Sequence, residues 1–242
     1  MGALPLPHES ATLIAFPGIA RSNATSVIAT ALKAHRLPEL LTAQLLRATG
    51  AASDPHTALT HALSQRMTHK PLNFACNHGI LLVGPSGAGK STVARMIAEA
   101  ARPRESLILN AREGLARFRA GELPDGRLVV MEADGFHPLN PKARGAFAAL
   151  NDIADVETVG VVSAAGDAED VAETIAAFRF RRLILTGLDR TRRLGALAAA
   201  ATSGAAIAHL ARNSALESLE AADLATLLLS SQGSDLAAIN LS

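Results

Sequence analysis

The 242-residue sequence predicts an α/β fold with a mostly parallel sheet, helices on both faces and a small helical bundle in front. From residue 79 onward, short apolar runs that contain β-branched residues alternate with helical patterns, which is typical of parallel sheets. The first seventy residues instead contain three amphipathic helical patterns. A glycine-rich turn joins the first predicted strand to the helix that follows it, at residues 84–91.

The composition excludes several classes of protein. The chain is 49% hydrophobic and 19% charged with a net charge of +1, so it is neither disordered nor a nucleic-acid-binding tail. Trp and Tyr are absent, which argues against stacking platforms for bases and predicts no nucleic-acid partner. The single Cys76 has no internal disulfide partner, as in cytoplasmic proteins. We see neither a transmembrane run nor a secretory signal, and we expect a cytoplasmic chain.

Three short helices are predicted before residue 73. The first 21 residues are rich in Pro and irregular, and residues 22–73 form an N-terminal helical domain. Gly50 ends the second helix, and Asp54-Pro55 starts the third with an N-cap followed by Pro at the first helical position. The predicted helices cover residues 22–35, 38–49 and 56–69.

Strands and helices then alternate through a second domain, residues 74–230, followed by a polar tail at 231–242. Alternation of this kind predicts parallel strands with helical crossovers. The predicted strands cover residues 79–83, 106–109, 128–131, 158–163, 182–186 and 206–210. The predicted helices cover residues 91–101, 111–120, 142–150, 167–178, 193–203 and 216–229.

The strongest motif is Gly84-Pro-Ser-Gly-Ala-Gly-Lys90-Ser91, which matches the phosphate-binding loop pattern G-x-x-x-x-G-K-[ST] between a strand and a helix. Glycines let successive backbone N–H groups point at phosphate oxygens, and the helix start adds its positive end. Lys90 supplies a charge to the phosphates and acts in catalysis, and the Ser91 hydroxyl is a ligand for Mg²⁺. This motif predicts a P-loop NTPase fold; the alternative is a glycine-rich turn without a ligand. The predicted nucleotide-binding residues here are Gly84, Pro85, Ser86, Gly87, Ala88, Gly89, Lys90, Ser91 and Thr92.

An acid follows the second clear apolar strand, 128–131. We predict that Glu132 holds Mg²⁺ or its water together with Ser91 and takes part in catalysis. Two alternatives remain. Glu132 and Asp134 could both be solvated loop acids. The string Asp-Gly-Phe-His could instead mark a P-loop small-molecule kinase, with Asp134 as the general base and the late arginines as its lid.

The C-terminal third resembles a known family. Residues 182–189, Arg-Leu-Ile-Leu-Thr-Gly-Leu-Asp, are similar to the guanine-recognition element of the signal-recognition-particle-type GTPases, and the resemblance extends over residues 22–229. It implies GTP and Mg²⁺ as ligands, with Thr186 and Asp189 at the base. An aspartate there accepts two hydrogen bonds from guanine that adenine cannot offer.

Within this family, the chain is most similar to the FlhF branch, GTPases that set the placement and number of polar flagella. Residues 132–138 resemble its D-T-A-G-x-x-P segment, which aligns Gly135 with a nucleotide-binding glycine and puts Glu132 in place of Asp. The resemblance implies a nucleotide-dependent homodimer and a MinD-like ATPase regulator of flagellar number as a partner, along with polar flagellar proteins. It also implies a peripheral position at the inner membrane of the cell pole.

Three departures from the family pattern concern catalysis and base recognition. We find no D-T-x-R segment between residues 101 and 128, and we expect that interval to be too short for the inserted strand–helix unit and the next strand. Gly187 replaces the base-recognition lysine, and Arg212-Asn213 replaces the closing G-Q. A missing transition-state group can cost a factor of ~10³ in rate. We therefore predict either a slow GTPase or a pseudo-GTPase that acts as an interaction module.

Overall fold

The structure is a computed structural model that describes residues 23–50, 52–74, 79–123, 126–151, 153 and 155–230. The predicted irregular segment 1–21 and the predicted polar tail 231–242 lie outside these residues.

The three predicted N-terminal helices are present as α1 (Asn23–Ala34), α2 (Glu39–Ala48) and α3 (Pro55–Ser64). The N-cap of α3 is as predicted: the Asp54 carboxylate accepts a 2.7 Å hydrogen bond from the Thr57 amide. That contact with Thr57 lowers the pKa of Asp54. The third helix is shorter than predicted because the chain then turns to the sheet, where the Ile207 amide donates to the Thr68 carbonyl at 2.7 Å.

Within the described residues, seven strands form one sheet. They are β1 (Gly79–Val83), β2 (Ser106–Asn110), β3 (Leu128–Ala133), β4 (Val156–Ser163), β5 (Arg182–Thr186), β6 (Ala206–Arg212) and β7 (Ala215–Glu217). Their order across the sheet is β2-β3-β1-β4-β5-β6-β7, and only β7 runs antiparallel to its neighbour. The prediction of a mostly parallel α/β sheet is confirmed.

Six α-helices and one 3₁₀ turn complete the described part of the sheet domain. They are α4 (Lys90–Ala100), α5 (Ala111–Arg119), α6 (Pro141–Asn151), α7 (Ala168–Phe178), the 3₁₀ turn η1 (Leu188–Arg190), α8 (Gly195–Ala201) and α9 (Ala221–Leu229). Among the helices that the structure describes, none is both long enough and apolar enough to cross a membrane.

One predicted helix, residues 216–229, is wrong in its first part. Residues 215–217 form β7, and only the remainder forms α9. The reversal occurs at Asn213 and Ser214, whose φ angles of 49° and 63° give a two-residue left-handed turn of the kind that joins antiparallel strands. The Ala and Leu residues that follow have high helix propensity, so their pattern alone could not reveal the short strand.

The two faces of the sheet are covered differently. Within β1, Ile80 and Leu82 face one core, whereas Leu81 and Val83 face the other, as the alternation of side chains along a strand requires. Among the described helices, only α4 contributes to the first core, through Val93, Ala94 and Ile97 and through the partly buried Met96. The other face carries the remaining helices.

The N-terminal helices share that second core with the sheet domain. Its buried residues include the following leucines and isoleucine from α1, α2, α3 and α9: Ile28, Leu32, Leu45, Leu59, Leu63, Leu224, Leu227 and Leu228. A boundary at residue 73 stays a prediction, since continuous packing joins the two parts.

Two histidines, the buried His35 and the half-buried His209, fix the joints between these parts. His35 follows α1, and its ring bonds to the Leu228 carbonyl of α9 at 3.1 Å and to the Leu194 amide before α8 at 3.3 Å. His209 of β6 accepts a 3.2 Å hydrogen bond from the Leu72 amide and stacks on Phe74. Burial lowers the pKa of His35, and it lowers the pKa of His209 to about 4.

Candidate nucleotide-binding site

The glycine-rich loop lies at the carboxyl end of β1, between β3 and β4, and leads into α4. Gly84 packs directly on the neighbouring strand: a Cβ at this position would lie 2.2 Å from the Val161 carbonyl oxygen, so no other residue fits without movement. Gly89 caps α4 with φ 94°, a left-handed conformation that favours glycine. The loop therefore points its amides and the start of α4 toward one place, where an anion binds favourably.

A second strand supports the loop from the side. The Thr186 hydroxyl, at the end of β5, donates a 2.6 Å hydrogen bond to the Ala88 carbonyl and is buried. Thr186 was predicted as a nucleotide-binding residue. In the structure its hydroxyl holds the loop against β5, and its role toward a nucleotide stays a prediction.

Lys90 is the first residue of α4, and its side chain is only 5% exposed. The Lys90 ammonium donates to the carbonyls of Gly84 at 3.2 Å and Pro85 at 3.0 Å. It also forms an ion pair with the Asp134 carboxylate at 3.0 Å. The charge is thus held at the mouth of the loop by contacts with the loop's own backbone.

Ser91 and Glu132, the two residues predicted to hold Mg²⁺, meet across the site, and their role toward the metal stays a prediction. The Ser91 hydroxyl donates a 2.6 Å hydrogen bond to the Glu132 carboxylate, which belongs to β3. Magnesium prefers oxygen ligands and keeps several waters, so these two oxygens suit it when phosphate supplies the rest. Among the described residues, no cluster of three or more His, Cys, Asp or Glu side chains forms a self-sufficient metal site.

The segment after β3 carries Asp134 and Gly135 beside the loop. Phe136 anchors this segment, because its ring is buried and packs edge-to-face on Phe147 and Phe178 with centroid distances of 6.3 and 5.9 Å. Asp134 and Gly135 are exposed just ahead of that anchor, with Gly135 at φ 84°. In the Asp-Gly-Phe-His string, Phe136 thus packs into the core, and Asp134 places its carboxylate against Lys90.

The predicted base-recognition residues lie beyond β5. Gly187 has φ 70° and caps the 3₁₀ turn that contains Asp189. A side chain at Gly187 would meet the Ser163 hydroxyl, since a Cβ there would lie 2.8 Å from it. Asp189 itself is exposed.

The strand and the helix predicted between residues 101 and 128 are present as β2 and α5, and α5 is followed by β3. That this interval is too short for the family's inserted unit as well as the next strand stays a prediction. The last residue of β2, Asn110, pairs in register with Glu132 and caps α5 by accepting a 2.9 Å hydrogen bond from the Glu113 amide. The residues that follow the strand read Asn110-Ala-Arg-Glu113, so the D-T-x-R segment is absent here also. Asn110 was not singled out, although an Asn just before a helical pattern is an N-cap signal.

Beside the loop lies an open cavity of about 400 Å³. Loop residues Pro85 and Gly87 form one wall, and the start of α7 forms another. Three acids of that wall, Asp167, Asp170 and Glu173, make the cavity acidic. Asp167 is occupied as the N-cap of α7, where it accepts from the Glu169 amide at 2.8 Å.

The strand order, the glycine-rich loop after β1 and the carboxylate of Glu132 on β3 together define a P-loop nucleotide-binding domain. A family model described as ABC transporter matches residues 69–208, which run from the segment before β1 into β6. The chain belongs to this family, by way of its P-loop region. No curated protein matches the sequence.

Solved structures that resemble the chain include the signal-recognition-particle-type GTPases FlhF and FtsY. FlhF complexed with GMPPNP and Mg²⁺ is 15% identical, with a TM-score of 0.63, over 86% of this chain and 99% of FlhF. FtsY from Thermotoga maritima is 18% identical, with a TM-score of 0.60, over 86% of this chain and 88% of FtsY. FtsY from Elizabethkingia anophelis in complex with GDP is 14% identical, with a TM-score of 0.59, over 86% of this chain and 85% of that FtsY. The chain has the fold of these GTPases.

Proposed function

We propose that the protein binds a guanine nucleotide with Mg²⁺ at the P-loop and acts as a slow, FlhF-type GTPase or GTP-dependent switch. The observation that carries the proposal is the meeting of Lys90, Ser91 and Glu132 at the mouth of the loop. Backbone amides and Lys90 would bind the phosphates, and Ser91 and Glu132 would hold the metal. When bound, Mg²⁺ would neutralise charge on the phosphates.

The choice of guanine rests on Asp189 and on the fold. Asp189 lies on the turn after β5, where its carboxylate is free to accept hydrogen bonds from guanine. FlhF, which has this fold, was solved with GTP and Mg²⁺. Thr186 and Gly135 would complete the site, although Gly187 leaves the base without the lysine that the family resemblance implies.

We expect slow hydrolysis because of the residues at the end of β2. The family segment with its catalytic and magnesium-facing residues is replaced by Asn110 and Glu113, and both are engaged with each other at the start of α5. Phosphoryl transfer depends on positioned charge, so such a site binds nucleotide better than it cleaves it. A pseudo-GTPase that serves as an interaction module is the limiting case.

The kinase alternative is less well supported, because three of the late arginines proposed for its lid lie away from the phosphate loop. Arg182 starts β5 and pairs with Glu157 at 2.6 Å, whereas the phosphate loop contacts Thr186 at the other end of the same strand. Four residues of strand separate the two ends by about 13 Å. Arg179 and Arg181 come before Arg182 in the chain, ahead of the start of β5.

The cellular role that we propose is regulation of polar flagellum placement and biosynthesis. It would involve a nucleotide-dependent homodimer, a MinD-like ATPase regulator and a peripheral position at the polar membrane. The similarity in length and fold to FlhF motivates this finer proposal. Deletion of the gene should misplace or change the number of flagella; unchanged flagella would reject the role without touching nucleotide binding.

The decisive experiment is a titration with fluorescent GTP and ATP analogues, with and without Mg²⁺. We expect binding to both, tighter binding of the GTP analogue, and a gain in affinity from Mg²⁺ that Glu132→Gln reduces. Equal or tighter binding of ATP would reject the guanine assignment. GTP hydrolysis that is lost in Lys90→Ala would reject the pseudo-GTPase.

A further inference from the structure

The ion pair between Lys90 and Asp134 has a consequence for which phosphate chain the site prefers. An ammonium group has three N–H donors. In the structure, the three acceptors around the Lys90 ammonium are the carbonyls of Gly84 and Pro85 and the carboxylate of Asp134, at 3.2, 3.0 and 3.0 Å. All three donors of Lys90 are therefore engaged.

Of these three contacts, only the one to Asp134 is free to exchange. The carbonyls belong to the loop backbone, and Gly84 packs so closely on β4 that a Cβ there would lie 2.2 Å from the Val161 carbonyl oxygen. The Asp134 side chain is 84% exposed and is followed by Gly135, which has φ 84°. A phosphate oxygen that reaches Lys90 must take the place of the Asp134 carboxylate.

Displacement does not remove the negative charge of Asp134. The buried Phe136, two residues on, keeps the segment beside the loop, so the displaced carboxylate stays near the bound phosphates. Like charges a few ångströms apart near a protein surface repel each other, and salt screens this repulsion only in part. A nucleoside triphosphate carries more charge than a diphosphate and places its extra phosphate at Lys90, so the triphosphate is penalised more.

We propose that Asp134 is a specificity-determining residue that lowers the preference of this P-loop for nucleoside triphosphate over diphosphate, by competing with the terminal phosphate for Lys90. The inference rests on the proposed function, because it assumes that nucleotides bind at this loop. It predicts that the protein binds the triphosphate weakly unless Asp134 is moved away from Lys90.

The test compares GMPPNP and GDP affinities, measured by calorimetry at fixed ionic strength with excess Mg²⁺, in wild type, Asp134→Asn and Asp170→Asn. Asp170 is a matched control, because it is an exposed aspartate beside the same loop that makes no ion pair with Lys90. For Asp134→Asn we expect GMPPNP to bind about tenfold tighter, which is about 1.4 kcal/mol, and GDP to change about twofold. For Asp170→Asn we expect both affinities to change less than twofold.

The alternatives give different results. Unchanged GMPPNP affinity in Asp134→Asn, or equal tightening for GMPPNP and GDP, overturns the inference while the proposed function stands. Weaker GMPPNP binding also overturns it, and indicates that Asp134 assists the metal instead. Binding to Asp134→Asn but not to wild type supports the inference, whereas binding to neither protein overturns both the inference and the proposed function.

Discussion

The phosphate end and the base end of the candidate site are built in opposite ways. At the phosphate end, a glycine wedged on Val161, a buried lysine and a buried threonine bond fix the loop from three sides. At the proposed base end, the candidate residues are a single exposed carboxylate, Asp189, and Gly187, which has no side chain. We infer that affinity is set almost entirely by phosphates and that base selectivity is shallow.

Replacing Lys90 should give the largest effect on this comparison. We expect Lys90→Ala to weaken binding of GTP and ATP analogues alike, by about 100-fold, because the buried charge serves phosphates whatever the base. Lys142→Ala, a change of an exposed lysine on α6, is the control and should alter neither affinity. A loss confined to the GTP analogue would contradict the division between the two ends. Fluorescence titration measures both.

The close contact of Gly84 should appear in stability. A Cβ there collides with the Val161 carbonyl, so Gly84→Ala should lower the free energy of unfolding by about 2–3 kcal/mol and reduce binding of either nucleotide. Gly145→Ala, in the open middle of α6, should instead be neutral or stabilise by up to about 1 kcal/mol. Urea denaturation compares the two variants, and equal effects would show that the wedge at Gly84 is unimportant.

Acid should weaken the joint that His209 of β6 makes with Leu72 and Phe74, the segment before β1. Burial, together with nearby His69 and Arg182, holds the pKa of His209 at about 4, so the folded protein keeps this ring neutral. The unfolded chain binds the proton near pH 6.5, and stability is therefore lost as the pH falls from about 6.5 toward 4. From pH 7.5 to 5.0 we expect a loss of about 1–2 kcal/mol from this group.

His209→Gln keeps an acceptor for the Leu72 amide but has no proton to gain. Its free energy of unfolding should fall less than that of wild type over the same pH range. His35, whose pKa is also lowered by burial, adds a loss of the same sign in both proteins. Equal pH dependence of wild type and His209→Gln would contradict the assignment.

The smallest effect should come from Asp189. We expect Asp189→Asn to weaken a GTP analogue by about fivefold and to leave an ATP analogue unchanged, because one hydrogen-bonded carboxylate contributes about 1 kcal/mol. Asp155→Asn, a change of an exposed aspartate away from the loop, serves as the control. A loss of affinity as large as that of Lys90→Ala would mean that Asp189 contributes more to binding than its exposure indicates.

The sequence predicted the parts of this molecule that follow from local patterns. The P-loop, its flanking strand and helix, and the Asp54 cap depend on residue types at fixed spacing, so they could be located from the chain alone. β7 could not, because a three-residue strand of Ala, Leu and Glu has no periodicity and depends on pairing with β6. The strand β2 and the helix α5 were both predicted, because each has its own local pattern.

The ion pair of Asp134 with Lys90 also lay beyond the sequence, for a different reason. Residues 44 positions apart meet only because β3 lies next to β1 in the sheet, and strand order is a property of the whole fold. The sequence predicted Glu132 for the metal and left Asp134 as a solvated acid or a general base in the alternatives. The pleat of β3 and the buried Phe136 separate them, so that Glu132 reaches Ser91 and Asp134 reaches Lys90.

The single helix over one face of the sheet has a consequence for hydrogen exchange. Among the described helices, α4 alone covers the core that contains Ile80, Val130 and Val159, and its first turn is also the floor of the phosphate site. A phosphate held at that turn opposes the opening of α4, and thereby protects the strands beneath it. The backbone amides of β1, β3 and β4 should therefore record nucleotide binding as slowed deuterium uptake, at positions that touch no ligand.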